Sequence, residues 1–405
     1  MKPSILFSLC SILLFTGCSE PASIELQVAN PGQYDQAKAP VSISLAELGD
    51  LPAAFEIVDD SGVSIPYQLD DLNGDGTTDV LFTLVSITAN STSTLSIRAV
   101  ETMPTFPTQT DAVIKVREQP DPESMQLGDD FERVDSYTEP FNFTQDNGLI
   151  YLEGPAWESN LVGYRFYFDD RNRFDIFGKS TEEPALGSIT ENYHALADWG
   201  ADILKVGSSL GMASPALYEN NTLELIERTG TNRVEVVTNG PLRSILRVYH
   251  PEWKTQNHTL NAVTELEIHA HHRYTELRLN VDGADKDLPF ATGLIRHPDA
   301  AQFVELEIDN SKAGYTWGVQ SDQGHTLGMA VMVPGEFEPS ISDADPESHL
   351  IPFTSKNGAI RYRFLAAWEL EPQSVRIEDE AAFRELVKEE NVLMTQPVTI
   401  TRLNP

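Results

Sequence analysis

Alternation of apolar and polar residues recurs along most of the chain and constrains its fold more than any other feature. It is clearest in residues 164–179, YRFYFDDRNRFDIFGK, where Phe166 and Phe168 before a turn and Phe174 and Ile176 after it share one face. A period of two residues is that of a β-strand with one buried side, and Asp-Arg-Asn suits the turn between the strands. The sequence therefore predicts antiparallel strands that place one face in a core.

The second face of this predicted hairpin is charged. It carries Arg165, Asp169, Arg173, Asp175 and Lys179. Cross-strand ion pairs on a solvated sheet face explain such a pattern, each contributing less than about 1 kcal/mol when exposed. A charged ligand explains it equally well, because Trp157 and Glu158 precede the hairpin and an indole beside arginine and carboxylate groups is common in sugar sites. The sequence leaves both interpretations open.

Composition limits the class of protein. The chain has 405 residues, 40% of them hydrophobic, which is enough for one large domain or two smaller ones. The chain has 28 basic and 62 acidic residues, so its formal net charge is −34. Such a charge repels nucleic acid and anionic membrane surfaces at long range, and nucleic-acid binding is not expected.

The N-terminus has the pattern of an export signal. A basic residue precedes the apolar run ILFSLCSILLF, which is too short to span a bilayer, and FTGCSE then resembles a bacterial lipobox with Cys18 as the lipidated residue. Phe15 departs from the usual leucine, whereas Ser19 fits outer-membrane sorting. We expect residues 1–18 to be a lipoprotein signal peptide and the mature protein to be exported and lipid-anchored, at the outer membrane facing the periplasm or at the cell surface. Cleavage of an ordinary signal at a nearby small residue is the alternative.

The only other cysteine is Cys10, inside the predicted signal. The mature chain therefore forms no internal disulfide, and an exported protein without one depends on its core for stability.

The remaining chain predicts a mostly β protein of two units. Short alternating strands punctuated by Pro, Gly and Asp fill residues 19–100 and indicate a small β-sandwich. Residues 101–113, rich in Thr and Pro, predict a linker. Longer strands in residues 114–405 predict a large antiparallel β-sandwich with few short helices. Two segments break the strand pattern: residues 191–211 suggest a short helix and loop, and residues 379–391 a helix.

The segment DDLNGDGTTD has the spacing of a calcium loop. Asp71, Asn73, Asp75 and Asp79 fall at loop positions one, three, five and nine. Gly76 stands where the sharp turn is needed, but Phe82 occupies the place of the bidentate glutamate. The same residue types are typical of a tight turn. A structural calcium ion and a plain turn both remain open, and no other cofactor is expected.

Five segments, distributed over nearly the whole mature chain, resemble a bacterial family of unknown function. They are DDLNGDGTTDVLFTL, YLEGPAWESNLVGYRFYFDDRNRFDIFGK, YHALADWGADILKVGSSLGMAS, TNGPLRSILRVYHPEW and GYTWGVQSDQGHTLGMAVMVP. Members of this family are exported proteins found beside polysaccharide-degrading enzymes. The resemblance implies a small β domain followed by a large sandwich similar to the galactose-mutarotase-like fold of several polysaccharide lyases.

An activity associated with such proteins is dehydration of a terminal uronic acid on ulvan oligosaccharides, which leaves a 4,5-unsaturated sugar. The resemblance thus implies a β-eliminating dehydratase or lyase acting on uronate-containing oligosaccharides from algal or plant polysaccharide. A mutarotase-type epimerase and a non-catalytic glycan-binding lipoprotein are the alternatives. Elimination requires cations on the carboxylate, a base at C5 and an acid for the oxygen leaving C4.

Candidate substrate-binding residues are the cations and their neighbours in these segments. They are Trp157, Glu158, Arg165, Lys179, Asp198, Arg243 and Arg273. A forked guanidinium suits a carboxylate best, so the arginines come first.

Histidines are the leading candidates for the base. His194 is the first choice, with Asp198 close enough in sequence to orient its ring. In HAHH, a regular strand would put His269 and His271 on one face and His272 on the other. Such a pair can bind a transition metal, but no third or fourth ligand is evident. Tyr249 and His250 are alternative acids or bases, and the catalytic set predicted from the sequence is His194, Tyr249 and His272.

Overall fold

A computed structural model describes residues 23–119, 127–128, 130–140, 143–144, 148–284, 287–297, 302–308 and 310–403. The predicted signal peptide with Cys18 lies outside these residues. Within the described ranges, no helix combines the length and the apolar character needed to cross a bilayer.

The N-terminal part of the chain folds into two sheets that pack face to face. Its elements are β1 (Ile24–Asn30), β2 (Gln36–Ser44), α1 (Leu45–Leu48), β3 (Phe55–Val58), β4 (Ser64–Ile65), β5 (Tyr67–Asp70), β6 (Val80–Ile87) and β7 (Ser91–Ala99). In the described residues, β1, β7, β3 and β4 follow one another in one sheet and β2, β6 and β5 in the other. Leu26, Leu81 and Ile97 lie in the apolar core between them.

The larger part of the chain is also built from antiparallel strands. Its first elements are β8 (Thr110–Val113), β9 (Lys115–Val116), β10 (Glu132–Arg133), β11 (Ser136–Thr138), β12 (Ala156–Ser159), β13 (Gly163–Phe166), β14 (Phe174–Lys179), β15 (Gly200–Asp202), β16 (Ala216–Glu219), β17 (Thr222–Leu225), β18 (Arg233–Asn239) and β19 (Arg243–Lys254). The chain continues with β20 (Thr259–His269), β21 (Tyr274–Asp282), β22 (Pro289–Ile295), β23 (Val304–Ile308), β24 (Ser311–Val319), β25 (Thr326–Pro334), β26 (Ser348–Thr354), β27 (Ala359–Trp368), α2 (Glu380–Thr395) and β28 (Thr399–Arg402).

Two layers of sheet enclose the main core. One layer, the long sheet, has the order β11-β18-β19-β20-β21-β27-β25-β24-β23. The other contains the hairpin sheet, β15-β14-β13-β12-β8, and the side sheet, β17-β16-β22-β26. Leu246 and Leu277 of the long sheet lie in one apolar cluster with Tyr164 and Phe174 of the hairpin sheet. The mostly β, antiparallel fold predicted from the alternating pattern is confirmed.

The chain returns to its first sandwich at its end, which the sequence did not predict. Strand β28 pairs antiparallel with β1, Val28 opposite Ile400. The C-terminal residues therefore complete the N-terminal sandwich, although the prediction placed them in residues 114–405. The predicted linker, residues 101–113, is also too long, because β8 pairs with β12.

Of the two segments that break the strand pattern, one is helical. Helix α2 begins after Asp379, whose side chain accepts a hydrogen bond from the Ala382 backbone N–H at 2.9 Å, and it buries Phe383 and Val387. Residues 191–211 contain turns and β15 instead of the predicted helix. At Gly200 a Cβ would lie 1.8 Å from the Gly178 carbonyl oxygen, so the close strand pairing there depends on glycine.

Candidate active site

The charged face of the predicted hairpin is the outer face of the hairpin sheet. Arg165 of β13 lies directly opposite Asp175 of β14, and its guanidinium bonds that carboxylate. The same guanidinium NH2 donates to Asp202 Oδ2 of β15 at 2.7 Å. Arg165 is fully buried, because Tyr151 and Tyr193 cover this face. The face is therefore neither a solvated surface nor directly open to a ligand.

Arg165 holds several anionic groups together. Its NH1 donates to the Leu152 carbonyl oxygen at 3.1 Å and lies 3.8 Å from Glu153 Oε1. Burial, and to a lesser extent the charge of Asp202, raise the pKa of Asp175 to about 7, although Arg165 opposes both effects. One buried guanidinium thus faces three carboxylates, an arrangement that is stable only while the cation stays in place.

His194 lies at the accessible edge of this cluster. Its Nδ1 is 3.2 Å from Asp202 Oδ2, and its side chain is 39% exposed. Among the described residues, the other ring nitrogen, Nε2, has no hydrogen-bond partner. The hydrogen bond to Asp202 raises the pKa of His194 above its usual value, although burial opposes the shift. The imidazole is therefore oriented at one nitrogen and open at the other, as a general base requires.

The carboxylate that orients His194 is Asp202, not the predicted Asp198. The Asp202 backbone N–H donates to the Tyr193 carbonyl oxygen at 2.8 Å, which brings β15 beside the histidine. Asp198 lies in the exposed turn between them. Sequence proximity favoured the wrong aspartate because residues 191–211 form turns and a strand, not a helix.

Glu153 enters the site through an unusual backbone. Leu152 and Glu153 are consecutive non-glycine residues with φ of 55° and 58°, in the left-handed region that costs free energy for such residues. Gly154 follows, where a Cβ would lie 1.8 Å from the Phe166 carbonyl oxygen. This path lets Glu153 accept a hydrogen bond from the Tyr193 hydroxyl at 2.6 Å.

The pKa of Glu153 shows the electrostatic balance at the site. Burial alone would raise this pKa, but the charge of Arg165, the Tyr193 hydrogen bond and Arg171 outweigh it and lower the pKa to about 2. Glu153 is therefore an anion at neutral pH and serves as an acceptor, not as an acid.

Arg171 is the accessible cation of the site. Its NH2 donates to Glu153 Oε2 at 2.6 Å, its Nε donates to Asp169 Oδ1 at 2.9 Å, and its guanidinium lies 3.7 Å from the centre of the Tyr167 ring. In the part of the chain that the structure describes, NH1 has no partner. Arg171 is thus fixed by its neighbours while one end of its fork stays available.

Three other predicted substrate-binding residues are buried away from this opening. Trp157 points into the core, where its Nε1 donates to Thr275 Oγ1 at 2.8 Å, so it cannot stack on a sugar. Glu158 and Lys179 form a fully buried pair with a 2.5 Å contact. Burial raises the pKa of Glu158 and lowers that of Lys179. These three predictions are wrong because Trp157 faces the main core, whereas Glu158 and Lys179 share the outer face with Arg165 and are covered there by Ala185 and Leu186, whose N–H groups donate to Glu158.

Arg243 and Tyr249 belong to a different face of the molecule. Both lie on the outer face of the long sheet, where Arg243 Nε donates to Asp70 Oδ2 at 2.7 Å and the Tyr249 hydroxyl donates to Glu235 Oε1 at 2.8 Å. They do not reach His194, because the main core separates the two outer faces. Tyr249 is therefore not the acid or base of this site.

The HAHH histidines lie at a turn and not along a strand. Strand β20 ends at His269, β21 begins at Tyr274, and His271 has φ of 67°. The expected pairing of His269 with His271 on one face is therefore wrong. His272 is buried, with Nδ1 2.9 Å from Glu390 Oε1 and Nε2 2.9 Å from the Lys38 carbonyl oxygen. It connects helix α2 to the N-terminal sandwich and has no access to substrate.

The two remaining candidates are also interior. Burial lowers the pKa of His250 to about 3, so it stays neutral in the core. Arg273 forms a buried ion pair with Glu371, with its Nε 3.2 Å from Oε1.

The loop that resembles a calcium site holds its shape through its own backbone. Asp71 Oδ1 accepts from the Gly74 N–H at 2.8 Å, and Asp71 Oδ2 from the Gly76 N–H at 2.7 Å. Asn73 and Asp75 each accept from the N–H two residues onward, and Asp79 Oδ1 accepts from the Leu72 N–H. Among the described residues, no three His, Cys, Asp or Glu side chains are arranged to hold a metal.

The sequence over residues 28–400 matches the family described as "Domain of unknown function (DUF4861)". The chain belongs to the DUF4861 family. No curated protein matches its sequence.

Similar solved structures of this DUF4861 chain are distant. An alpha-mannosidase from Enterococcus faecalis V583 aligns with a TM-score of 0.43 and 9% identity over 94% of this chain and 46% of the mannosidase. A Glycosyl Hydrolase Family 38 protein from Enterococcus faecalis gives 0.43 and 7% over 94% and 47%. A putative aldose 1-epimerase from Klebsiella pneumoniae subsp. pneumoniae MGH 78578 gives 0.34 and 9% over 71% and 96%. The chain thus spans under half of the first two proteins, and no activity follows from these matches.

In this DUF4861 protein, the sequence predicted His194 as a site residue but not the residues that the structure brings around it. Glu153, Tyr193 and Asp202 stand in the quoted segments beside His194 and Arg165, yet nothing in their spacing shows that they meet. Arg171 was assigned only to the hairpin turn. The signal that could have found it is an arginine flanked by Asp169 and Asp170 at the end of a charged strand face.

Proposed function

We propose that the protein is a carbohydrate-active enzyme that performs β-elimination at a uronate residue of an oligosaccharide, with His194 as the base. The observation that carries the proposal is the half-exposed imidazole, oriented by Asp202 through Nδ1 and open at Nε2. Uronate elimination begins with removal of a weakly acidic proton, and a histidine with a raised pKa is suited to that step near neutral pH.

The proposed elimination moves one proton from C5 to the oxygen that leaves C4. His194 Nε2 takes the C5 proton, the C5–H electron pair forms the C4=C5 double bond, and the C4–O bond breaks. The oxygen leaves with a proton, as water in a dehydratase or as a sugar hydroxyl in a lyase. The imidazolium formed in the first step can supply that proton to O4 on the same face of the ring, since Glu153 stays ionised. Asp202 stabilises the imidazolium between the two transfers.

Arg171 is the group that fits the substrate carboxylate. Its available NH1 can donate to a carboxylate oxygen while Glu153 and Asp169 fix the rest of the guanidinium. Neutralising the carboxylate makes the C5 proton more acidic, which elimination requires. Arg165 has a different role from the predicted one. It does not touch substrate, and its hydrogen bond positions Asp202 from the buried side of the cluster.

Turnover of defined oligosaccharides tests this proposal. A panel that differs only in the terminal uronate is incubated with the protein, and the ultraviolet band of a conjugated unsaturated acid is followed. Appearance of the band with uronate ends alone supports elimination. An inverted centre without the band would favour the mutarotase-type epimerase, and binding without any change would favour the glycan-binding lipoprotein.

Export and lipid anchoring at Cys18 belong to the same proposal. A polysaccharide does not cross the cell envelope, so an enzyme that acts on its fragments gains from a position outside the cytoplasm. The basic and apolar pattern of residues 1–18 supports this location.

A further inference from the structure

A large cavity lies on the opposite side of the sandwich from His194. It has a volume of about 780 Å³ and is bounded by the outer face of the long sheet, by Ser42 and Phe82 of the N-terminal sandwich, and by Leu393, Met394, Thr395 and Pro397 at the end of α2. The main core separates this face of the long sheet from the hairpin sheet. Cavities of 300–1,000 Å³ are the usual size for small-molecule sites.

Charged side chains in two cross-strand rows form the floor of the cavity. The first row is Arg247, Glu265, Arg278 and Arg361, which oppose one another in register on β19, β20, β21 and β27. The second row is Glu267, Glu276 and Arg363 on β20, β21 and β27. All of them line the cavity together with Arg243 and His269. Guanidinium donors and carboxylate acceptors are thus interspersed over this sheet surface.

The deeper row is held rigidly. Glu267 accepts from Arg278 at 2.6 Å, from Arg243 at 3.2 Å and from His269 Nε2 at 2.8 Å. The Nδ1 of His269 is 2.6 Å from the Tyr274 hydroxyl, which fixes the ring. Arg363 Nε donates to Glu276 Oε2 at 2.9 Å. These buried contacts preorganise the floor, so a ligand does not have to order it.

The outer row remains partly open. The side chains of Arg247, Glu265, Arg278 and Arg361 are between 23% and 40% exposed. Arg247 and Glu265 bond each other, so the row presents guanidinium donors next to carboxylate acceptors. Vicinal hydroxyl groups of a sugar both donate and accept hydrogen bonds. Adjacent guanidinium and carboxylate groups therefore suit them.

The balance of charge on the lining is unusual for this protein. Five arginines and four glutamates line the cavity, whereas the whole chain carries 28 basic and 62 acidic residues. A saccharide that bears carboxylates therefore meets less repulsion here than on the rest of the surface.

We propose that this cavity is a second saccharide-binding site, distinct from the His194 site, that binds a sugar chain through its hydroxyl groups and tolerates carboxylates. The proposal goes beyond catalysis: it needs no turnover, and it gives the N-terminal sandwich and the end of α2 a role as walls of a binding site.

A matched pair of substitutions tests it. Ser42→Trp places an indole in the cavity from an exposed position on β2 without removing any ion pair. Thr92→Trp adds the same side chain at an exposed position on β7 that does not line the cavity. Arg278→Met is a third variant, which removes an outer-row donor while Glu267 keeps Arg243 and His269 as partners. All three are made in a His194→Gln background, so that no probe is consumed.

Isothermal titration with a glucuronate-ended tetrasaccharide, and with its carboxyl-reduced form, gives the readout. We expect both probes to bind the Thr92→Trp protein at the cavity, Ser42→Trp to remove that binding, and Arg278→Met to weaken it about tenfold or more, as expected when one charge-assisted hydrogen bond is lost. Equal affinity and stoichiometry in the Ser42→Trp and Thr92→Trp proteins would overturn the proposal, as would failure of both probes to bind. Cavity binding without any turnover in the parent would reject the proposed elimination and leave this site standing.

Discussion

His194 and Asp202 are eight residues apart in sequence, and their side chains meet with Nδ1 3.2 Å from Oδ2. The contact exists because β15 pairs with β14 and returns Asp202 to the same sheet face as Arg165. An arginine, an aspartate and a histidine thus follow one another from the buried sheet face to the surface. In the proposed reaction, this order separates the positioning groups, Arg165 and Asp202, from His194, which takes the proton.

Replacing Asp202 with asparagine should move the pH dependence of the reaction. The base must be unprotonated, so the rate should rise as pH increases through the pKa of His194, which the Asp202 hydrogen bond raises. Asp202→Asn removes that effect, and the acid limb of kcat against pH should shift to lower pH while the maximal rate falls. Asp198→Asn, in the exposed turn, is the control and should leave the limb unchanged. An unshifted limb in Asp202→Asn would show that this carboxylate does not act on the base.

Arg165→Met should chiefly destabilise the fold. It leaves Asp175 and Asp202 buried without their cation, and breaking a buried pair in this way costs about 3–5 kcal/mol in the free energy of unfolding. Urea titration measures the change. The control is Lys388→Met, which removes an exposed pair with Glu385 and should leave the free energy of unfolding nearly unchanged. Equal stability of the Arg165→Met protein and the parent would mean that the cluster does not depend on this cation.

The outcome at Arg165 shows how far the sequence could predict the site. The alternation in residues 164–179 correctly predicted the hairpin, its core face and the charged identity of its other face. It could not show that Tyr151 and Tyr193 cover that face, because Tyr151 precedes the left-handed residues Leu152 and Glu153 and Tyr193 comes from a separate turn. Local periodicity describes a strand, whereas the burial of its outer face depends on distant segments.

The same limit applies to the cavity on the long sheet. Charged or polar residues alternate with apolar ones in ELEIH and again in ELRLN, a pattern typical of strands with one polar face. That this face forms the floor of a cavity depends on β28 bringing the C-terminus back to β1, where Val28 pairs with Ile400 from the other end of the chain. No spacing in the sequence specifies such a contact.

Calcium should stabilise the protein if the Asp71 to Asp79 loop binds it. A ligand that binds only the native state raises the melting temperature by mass action, so chelation should lower it and added calcium should restore it. Asp75→Ala, which removes a carboxylate ligand from the exposed loop, should remove the response without unfolding the protein. Identical melting curves with chelator and with calcium would leave the loop as a turn held by its own hydrogen bonds.

Cys18→Ser should release the protein from membranes. The acyl chains on that sulfur would supply the anchoring, so the variant should appear in the soluble fraction of the cell envelope. Cys10→Ser, within the apolar run, is the matched control and should stay with the membrane fraction. Retention of the Cys18→Ser protein would reject the lipobox interpretation.

The central claim is that His194 takes the proton in an elimination at a uronate. The most direct measurement compares the parent, His194→Gln and His258→Gln on a glucuronate-ended oligosaccharide, following the ultraviolet band of the unsaturated product. His258 pairs with Glu219 away from the site and serves as the matched control. We predict the band for the parent and for His258→Gln, with kcat for His194→Gln lower by roughly 10²- to 10⁴-fold and substrate affinity nearly unchanged. A folded His194→Gln protein that forms the product at the parental rate would contradict the account.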